Sequence, residues 1–214
     1  MEIRKKYFIL AIGFLALLFF IIETFLVKWN SLFIQTFDIF WIDIIRSNMT
    51  PALSSVLKFF THLGSVKVIV IMMLLIILGL YLKRNFLLGS WFGGSVILCL
   101  LVLKFCKNWI ERSRPDADNW LIQASGFSYP SGHATSSTIF YGLIALFLIL
   151  NFEESWKRIF SGIIGFFIIF LMMYIRIYLG VHYPSDVFGG FLLGSAFAFI
   201  SVAFYLIFFK KSKT

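Results

Sequence analysis

A chain of 214 residues that is 60% hydrophobic and only 14% charged is too apolar for a water-soluble core of its size, so a membrane is the expected solvent. Its 28 phenylalanines and six tryptophans suit lipid-facing helices and an aromatic belt. A formal charge of +9 ordinarily points to nucleic acid, but here the cations stand at the ends of apolar runs and form no solvated basic domain, which argues against that class.

A membrane-crossing helix needs about 20 mainly apolar residues, and six runs qualify in chain order. The first, Tyr7 to Val27, follows Arg4, Lys5 and Lys6. It outlasts a signal-peptide core and no small-residue cleavage pattern follows, so it is expected to be a retained span. Lys28 to Ser65 is too interrupted to cross. Phe33, Phe37, Phe40, Trp41, Ile44 and Ile45 recur at helical spacing, with Gln35, Asp38, Asp43 and Arg46 elsewhere on the surface. Pro51 opens a second short pattern through Leu53, Val56, Leu57 and Phe60. Amphipathic helices in the outer interface, or helices packed on the bundle as cover, both fit.

The remaining runs are Val66 to Leu82, Phe86 to Phe105, Ala134 to Phe152, Ile159 to Tyr178 and Val187 to Phe209. Lys83 and Arg84, then Lys157 and Arg158, then Lys210, Lys211 and Lys213 close alternate ends. With the N-terminal cluster they place both termini in the cytoplasm of a multi-pass plasma-membrane protein. Cys99 and Cys106 lie seven residues apart on one predicted helix, roughly 10 Å and too far for a bridge. They read as buried thiols. The fold expectation is an all-α integral membrane bundle of six transmembrane helices with interfacial amphipathic helices, one domain over residues 1–214.

Three stretches carry polar groups where a membrane protein should avoid them: Lys107 to Pro115, Tyr129 to His133, and Arg176 to Asp186. All three fall on the outer face under this topology. Lys107, Arg114 and Arg176 bring three cations together, which is what an anion with several negative oxygens requires. Pro130 suits a first helical turn, so N–H groups around Ser131 and Gly132 would face that anion. Gly180 and Pro184 bracket His182 as a helix stop and start. Asp186, four residues on, can hold one ring nitrogen and leave the other as a nucleophile. His133 suits a general acid for the leaving oxygen. Arg112 reads as an interfacial anchor, Glu23 as a polar contact to a neighbouring helix and His62 as a packed loop residue. No metal-ligand spacing is present and three cations would repel a metal ion, so no cofactor is expected.

These residues resemble the type 2 phosphatidic acid phosphatase superfamily, whose signature is K-x6-R-P, P-S-G-H and S-R-x5-H-x3-D. Lys107, Arg114 and Pro115 match the first part, Pro130 to His133 the second, and Arg176, His182 and Asp186 the third, with motifs spanning residues 107–186. Ile175 stands where the family usually has serine. The resemblance implies a lipid phosphatase in which His182 becomes a phosphohistidine, Asp186 orients it and His133 protonates the leaving group. Lys107, Arg114, Ser131, Gly132 and Arg176 then hold the phosphoryl oxygens. It favours phosphatidylglycerol phosphate as substrate, with undecaprenyl diphosphate, phosphatidate or diacylglycerol diphosphate as the alternative. The expected partners are a lipid phosphate and the bilayer, with no nucleic acid and no obligate protein. An anion transporter should show paired half-helices related by a repeat, which are not found, and a non-catalytic scaffold would tolerate loss of His133 and His182.

Overall fold

Long apolar stretches must satisfy their backbone groups internally when no water is at hand, and the helix is the one-chain solution. The computed structural model describes residues 2–209, leaving the Lys210, Lys211 and Lys213 cluster outside. Eight helices follow in order: α1 (Glu2–Lys28), α2 (Leu32–Arg46), α3 (Pro51–Phe60), α4 (Val66–Leu82), α5 (Phe86–Ile110), α6 (Gly132–Asn151), α7 (Ser155–Tyr178) and α8 (Pro184–Phe208). Short 3-10 turns occupy Thr61–Gly64 and Ala117–Asn119. Among the described residues there is no strand.

Five helices, α1, α5, α6, α7 and α8, are each long and apolar enough to cross a membrane. α4 has 17 residues and follows α3 and its 3-10 turn through a 48° bend, so counting that bent pair as one span gives six. The expected apolar runs thus coincide with helices. This is a multi-pass membrane fold.

α8 lies at the centre, packed chiefly against α1 and α6, and α7 closes on α6. Close approach of α6 and α8 depends on small residues: a Cβ on Gly190 would lie 2.8 Å from the Ser131 carbonyl oxygen and 2.9 Å from the Ala134 Cβ. That contact brings the start of α6 against the start of α8. Cys99 and Cys106 are buried, unbridged thiols, as expected.

Of the two readings open for α2, the exposed apolar stripe fits the interfacial helix. Its inward residues are Ile34 and Asp38, while Phe33, Phe40, Trp41 and Ile44 are exposed on the outer side. α2 therefore packs on α7 and α8 with a narrow stripe and turns a broad aromatic face outward. Asp38, expected on the surface, is only 3% exposed.

Candidate active site

The C-terminus of α5, the N-terminus of α6 and the α7–α8 connection meet at one end of the bundle, as the topology required. Glu111 caps α5 with a φ of 55°, its N–H donating to the Lys107 carbonyl at 3.0 Å, so the chain turns back over the bundle. The returning loop is tied down from both sides. Leu121 N–H donates to Leu179 O at 3.0 Å and Ser128 N–H to Arg112 O at 2.8 Å. Arg114 adds bonds to Gly126 O at 2.9 Å, Ser125 O at 2.9 Å and Val181 O at 2.7 Å.

Gly180 ends α7 as expected, with a φ of +74° that few other residues adopt without strain. Pro184 opens α8, and Asp186 sits in its first turn, where Oδ2 accepts the Tyr183 N–H at 2.9 Å. His182 is pinned between these two ends and is 2% exposed.

Its ring has distinct neighbours on its two sides. Nδ1 lies 3.3 Å from Asp186 Oδ2 and 3.3 Å from Ser128 Oγ. Nε2 faces the Arg114 Nη1 at 3.2 Å. The carboxylate on one side fixes the proton on Nδ1, which leaves the Nε2 lone pair directed toward the arginine. Burial, reinforced by Arg176 and Arg114 and opposed by Asp186, pulls His182 down to about 3. The imidazole is neutral at ordinary pH.

Arg114 on the Nε2 side stands close to the other two expected cations, Lys107 and Arg176. Lys107 Nζ donates to the carbonyls of Phe127 at 2.6 Å and Ser128 at 3.2 Å. Arg176, 4% exposed, donates Nη1 to Thr61 Oγ1 at 2.9 Å, and its Nε has no partner. Among the described residues none of Lys107, Arg114 and Arg176 pairs with a carboxylate. Isolated buried charges are costly, and a cluster of cations without carboxylate partners is suited to binding an anion.

The start of α6 contributes further donors, with one correction. The helix begins at Gly132, so Pro130 stands ahead of its cap and not in its first turn. The Ser131 N–H is already used, donating to Asp186 O at 2.8 Å. The N–H groups of Gly132 and His133 have no acceptor among the described residues, since the first helical bond runs from Thr135 N–H to Ser131 O. Ser131 Oγ is buried with no partner, and a Cβ on Gly132 would meet nothing closer than 4.0 Å. That room is available to a bound group.

Three further residues depart from their sequence reading. Arg112, expected to be an interfacial anchor, bridges two carboxylates: Nη1 to Asp186 Oδ1 and Nη2 to Asp38 Oδ2, both at 2.7 Å. Burial works against its charge, but Asp186 and Asp38 outweigh that and raise its pKa. Removing one partner from such a buried pair costs about 3–5 kcal/mol. Glu23 contacts a loop residue, Tyr129, whose hydroxyl donates to its Oε2 at 3.1 Å. His62 is exposed in the 3-10 turn and not packed. Nothing in sequence spacing marks Asp38, Thr61 or Ser128, whose hydroxyl donates to Asp186 Oδ2, as neighbours of the site.

The arrangement sets a neutral, oriented imidazole beside a pocket of cations and N–H donors, which suits in-line transfer of a phosphoryl group. Among the described residues no three His, Cys, Asp or Glu side chains converge as a metal-binding group.

Comparison with known proteins agrees with that geometry. Over 160 residues the chain is 36% identical to phosphatidylglycerophosphatase B of Bacillus subtilis, covering 72% of this chain and 76% of that protein. It is 28% identical over 171 residues to an undecaprenyl-diphosphatase of Sulfolobus acidocaldarius, covering 78% and 77%. The crystal structure of a transmembrane PAP2-type phosphatidylglycerolphosphate phosphatase from Bacillus subtilis superposes with a TM-score of 0.83 at 30% identity, covering 93% of this chain and 99% of that one. A sequence model of the PAP2 superfamily matches residues 88–210, more than half of the length, and the chain belongs to that superfamily.

Proposed function

We propose that this protein is a membrane lipid phosphatase that removes the terminal phosphate of phosphatidylglycerol phosphate through a phosphohistidine on His182. The observation that carries the reading is the trio Lys107, Arg114 and Arg176, near one another and unpaired with any carboxylate among the described residues, with Arg114 at the free nitrogen of His182. The likeness to phosphatidylglycerophosphatase B supports the choice of lipid.

In the first half-reaction His182 Nε2 bonds to phosphorus as the bond to the lipid oxygen breaks, and His133 gives that oxygen a proton. Nδ1 keeps its own proton, so the ring becomes cationic beside Asp186. Lys107, Arg114, Arg176, Ser131 and the N–H groups of Gly132 and His133 hold the three remaining oxygens. Water then attacks phosphorus, His133 takes its proton, the P–N bond breaks and inorganic phosphate leaves. Residues 1–214 act as one catalytic unit, with both termini cytoplasmic and the site at the outer face, where a bilayer-anchored phosphate can reach it.

Purified protein should release phosphate from phosphatidylglycerol phosphate in mixed micelles containing chelator, with inhibition by vanadate, while His182→Ala releases none. A tenfold preference for undecaprenyl diphosphate in kcat/KM, about 1.4 kcal/mol, would overturn the choice of lipid. A strict need for an added divalent ion would overturn the mechanism. A cysteine at Asn119 should be labelled by an impermeant reagent on intact cells while a tag after Thr214 stays protected; labelling from the same side would overturn the orientation.

A further inference from the structure

Behind His182 lies a chain of charges that does not itself contact the phosphoryl group. Asp186 is fully buried and uses Oδ2 for His182, Ser128 and the Tyr183 N–H, which leaves Oδ1 for Arg112. Arg112 spreads across two acids. Its Nη1 reaches Ser185 Oγ at 2.7 Å as well as Asp186, and its Nη2 reaches Asp38. Asp38 in turn accepts from the Ser185 N–H and the Ser185 hydroxyl, each at 2.8 Å. The carboxylate of α2 therefore sits on the N-terminus of α8, where the helix dipole favours negative charge.

The charge balance of this group gives it a role beyond packing. Two carboxylates against one guanidinium leave one net negative charge. With Asp38 present, Arg112 is shared and Asp186 keeps negative charge for the His182 ring; with Asp38 neutral, Arg112 would spend its whole charge on Asp186. When His182 Nε2 bonds to phosphorus and the ring becomes cationic, the four groups together become neutral. Such a balance stabilises the transition state and the intermediate more than the free enzyme.

We infer that Asp38 and Arg112 are positioning residues for the phosphoryl-transfer step, acting on His182 through Asp186. The inference rests on His182 being the nucleophile. It differs from a structural role, in which Asp38 would only clamp α2 to α8.

The test uses an aryl phosphate, so that an error in the choice of lipid leaves it intact, and reads kcat, KM, affinity for inorganic phosphate and trapped phosphoenzyme on purified full-length protein. Asp38→Asn keeps the shape and most of the hydrogen bonds but removes the charge. It should lower kcat and the rate of phosphoenzyme formation by about 10- to 100-fold, the range seen when a carboxylate behind a metal-bound histidine is lost. KM and the affinity for inorganic phosphate, which forms no bond to His182, should stay within about twofold, because the cation trio is untouched. Asp38→Glu should recover part of the lost kcat. Ile34→Ala, on the same buried stripe of α2, serves as the control for loosened packing and should lower thermal stability with little change in kcat per phosphate-binding molecule. The proposal fails if Asp38→Asn keeps wild-type kcat, or if Asp38→Asn and Ile34→Ala lower kcat in proportion to their loss of folded protein. Wild-type protein inactive on aryl and lipid phosphates alike would instead sink the phosphatase reading and this inference with it.

Discussion

Arg112 and Arg114 are two residues apart in one loop, yet they stand in opposite electrostatic surroundings on either side of His182. Arg112 lies between Asp38 and Asp186 and has its charge answered within the protein. Arg114 stands near Lys107 and Arg176 and, among the described residues, has carbonyls and a ring nitrogen for partners. The difference separates a charge that organises the protein from one held ready for a ligand. An arginine satisfied by carboxylates can be lost only at the expense of structure and orientation, whereas an arginine left unanswered is a demand for an anion.

The largest effect falls on the hinge between the two sides. His182→Ala should lower kcat by about 10⁴-fold or more and abolish the acid-labile phosphoenzyme that rapid quench otherwise traps. Retention of that intermediate would assign the nucleophile elsewhere. His133→Ala should cost about 10²- to 10⁴-fold on a lipid phosphate, whose alkoxide leaves poorly, and much less on an activated aryl phosphate. Equal losses on both substrates would remove His133 from the acid role.

The contrast between the two arginine environments can be broken directly. Arg176→Ala deletes charge-assisted hydrogen bonds of about 1.5–3 kcal/mol, and should weaken vanadate binding about 10- to 150-fold by equilibrium titration. Arg112→Ala should leave the affinity for inorganic phosphate, which forms no bond to His182, near wild type while lowering kcat and thermal stability. The reverse pattern would mean that the two sides had been assigned the wrong way round.

The smallest expected effect is on stability against pH. Burial holds His182 near a pKa of about 3 in the folded protein, while the unfolded chain has a histidine near about 6.5. Between these values the unfolded state binds more protons, so stability rises with pH through the window and is lost on acidification. The midpoint of thermal unfolding should fall between pH 6.5 and pH 4 in wild type and fall less in His182→Ala.

Much of this molecule was legible in its sequence because the bilayer imposes long, uninterrupted apolar runs. The runs predicted from hydropathy coincide with α1 and α4 to α8, and the three polar stretches arrive at one end as the topology demands. The face of α2 was not legible. Periodicity finds an apolar stripe, but in a membrane that stripe can turn to lipid as well as to protein, and here Phe33, Phe40 and Trp41 face outward while Asp38 points in. The partner of Arg112 was hidden for a related reason: Asp38 is 74 residues away and no local spacing connects them. Pro130 marked the start of α6 correctly to within two residues but misplaced which N–H groups are free.

α2 joins two media. Its inner stripe carries Asp38 to the network of Arg112 and Asp186 behind His182, and its outer stripe leaves aromatic rings exposed on the outside of the bundle. The lateral pressure of a bilayer presses such a helix onto the bundle, and a small, fluid detergent micelle supplies less of it. Turnover per molecule should therefore depend on the surroundings even for a substrate that dissolves in water. Protein that is sluggish in short-chain detergent should quicken on return to lipid, with its affinity for inorganic phosphate unchanged, because under the proposed roles the solvent adjusts the alignment of His182 and not the hold on phosphate.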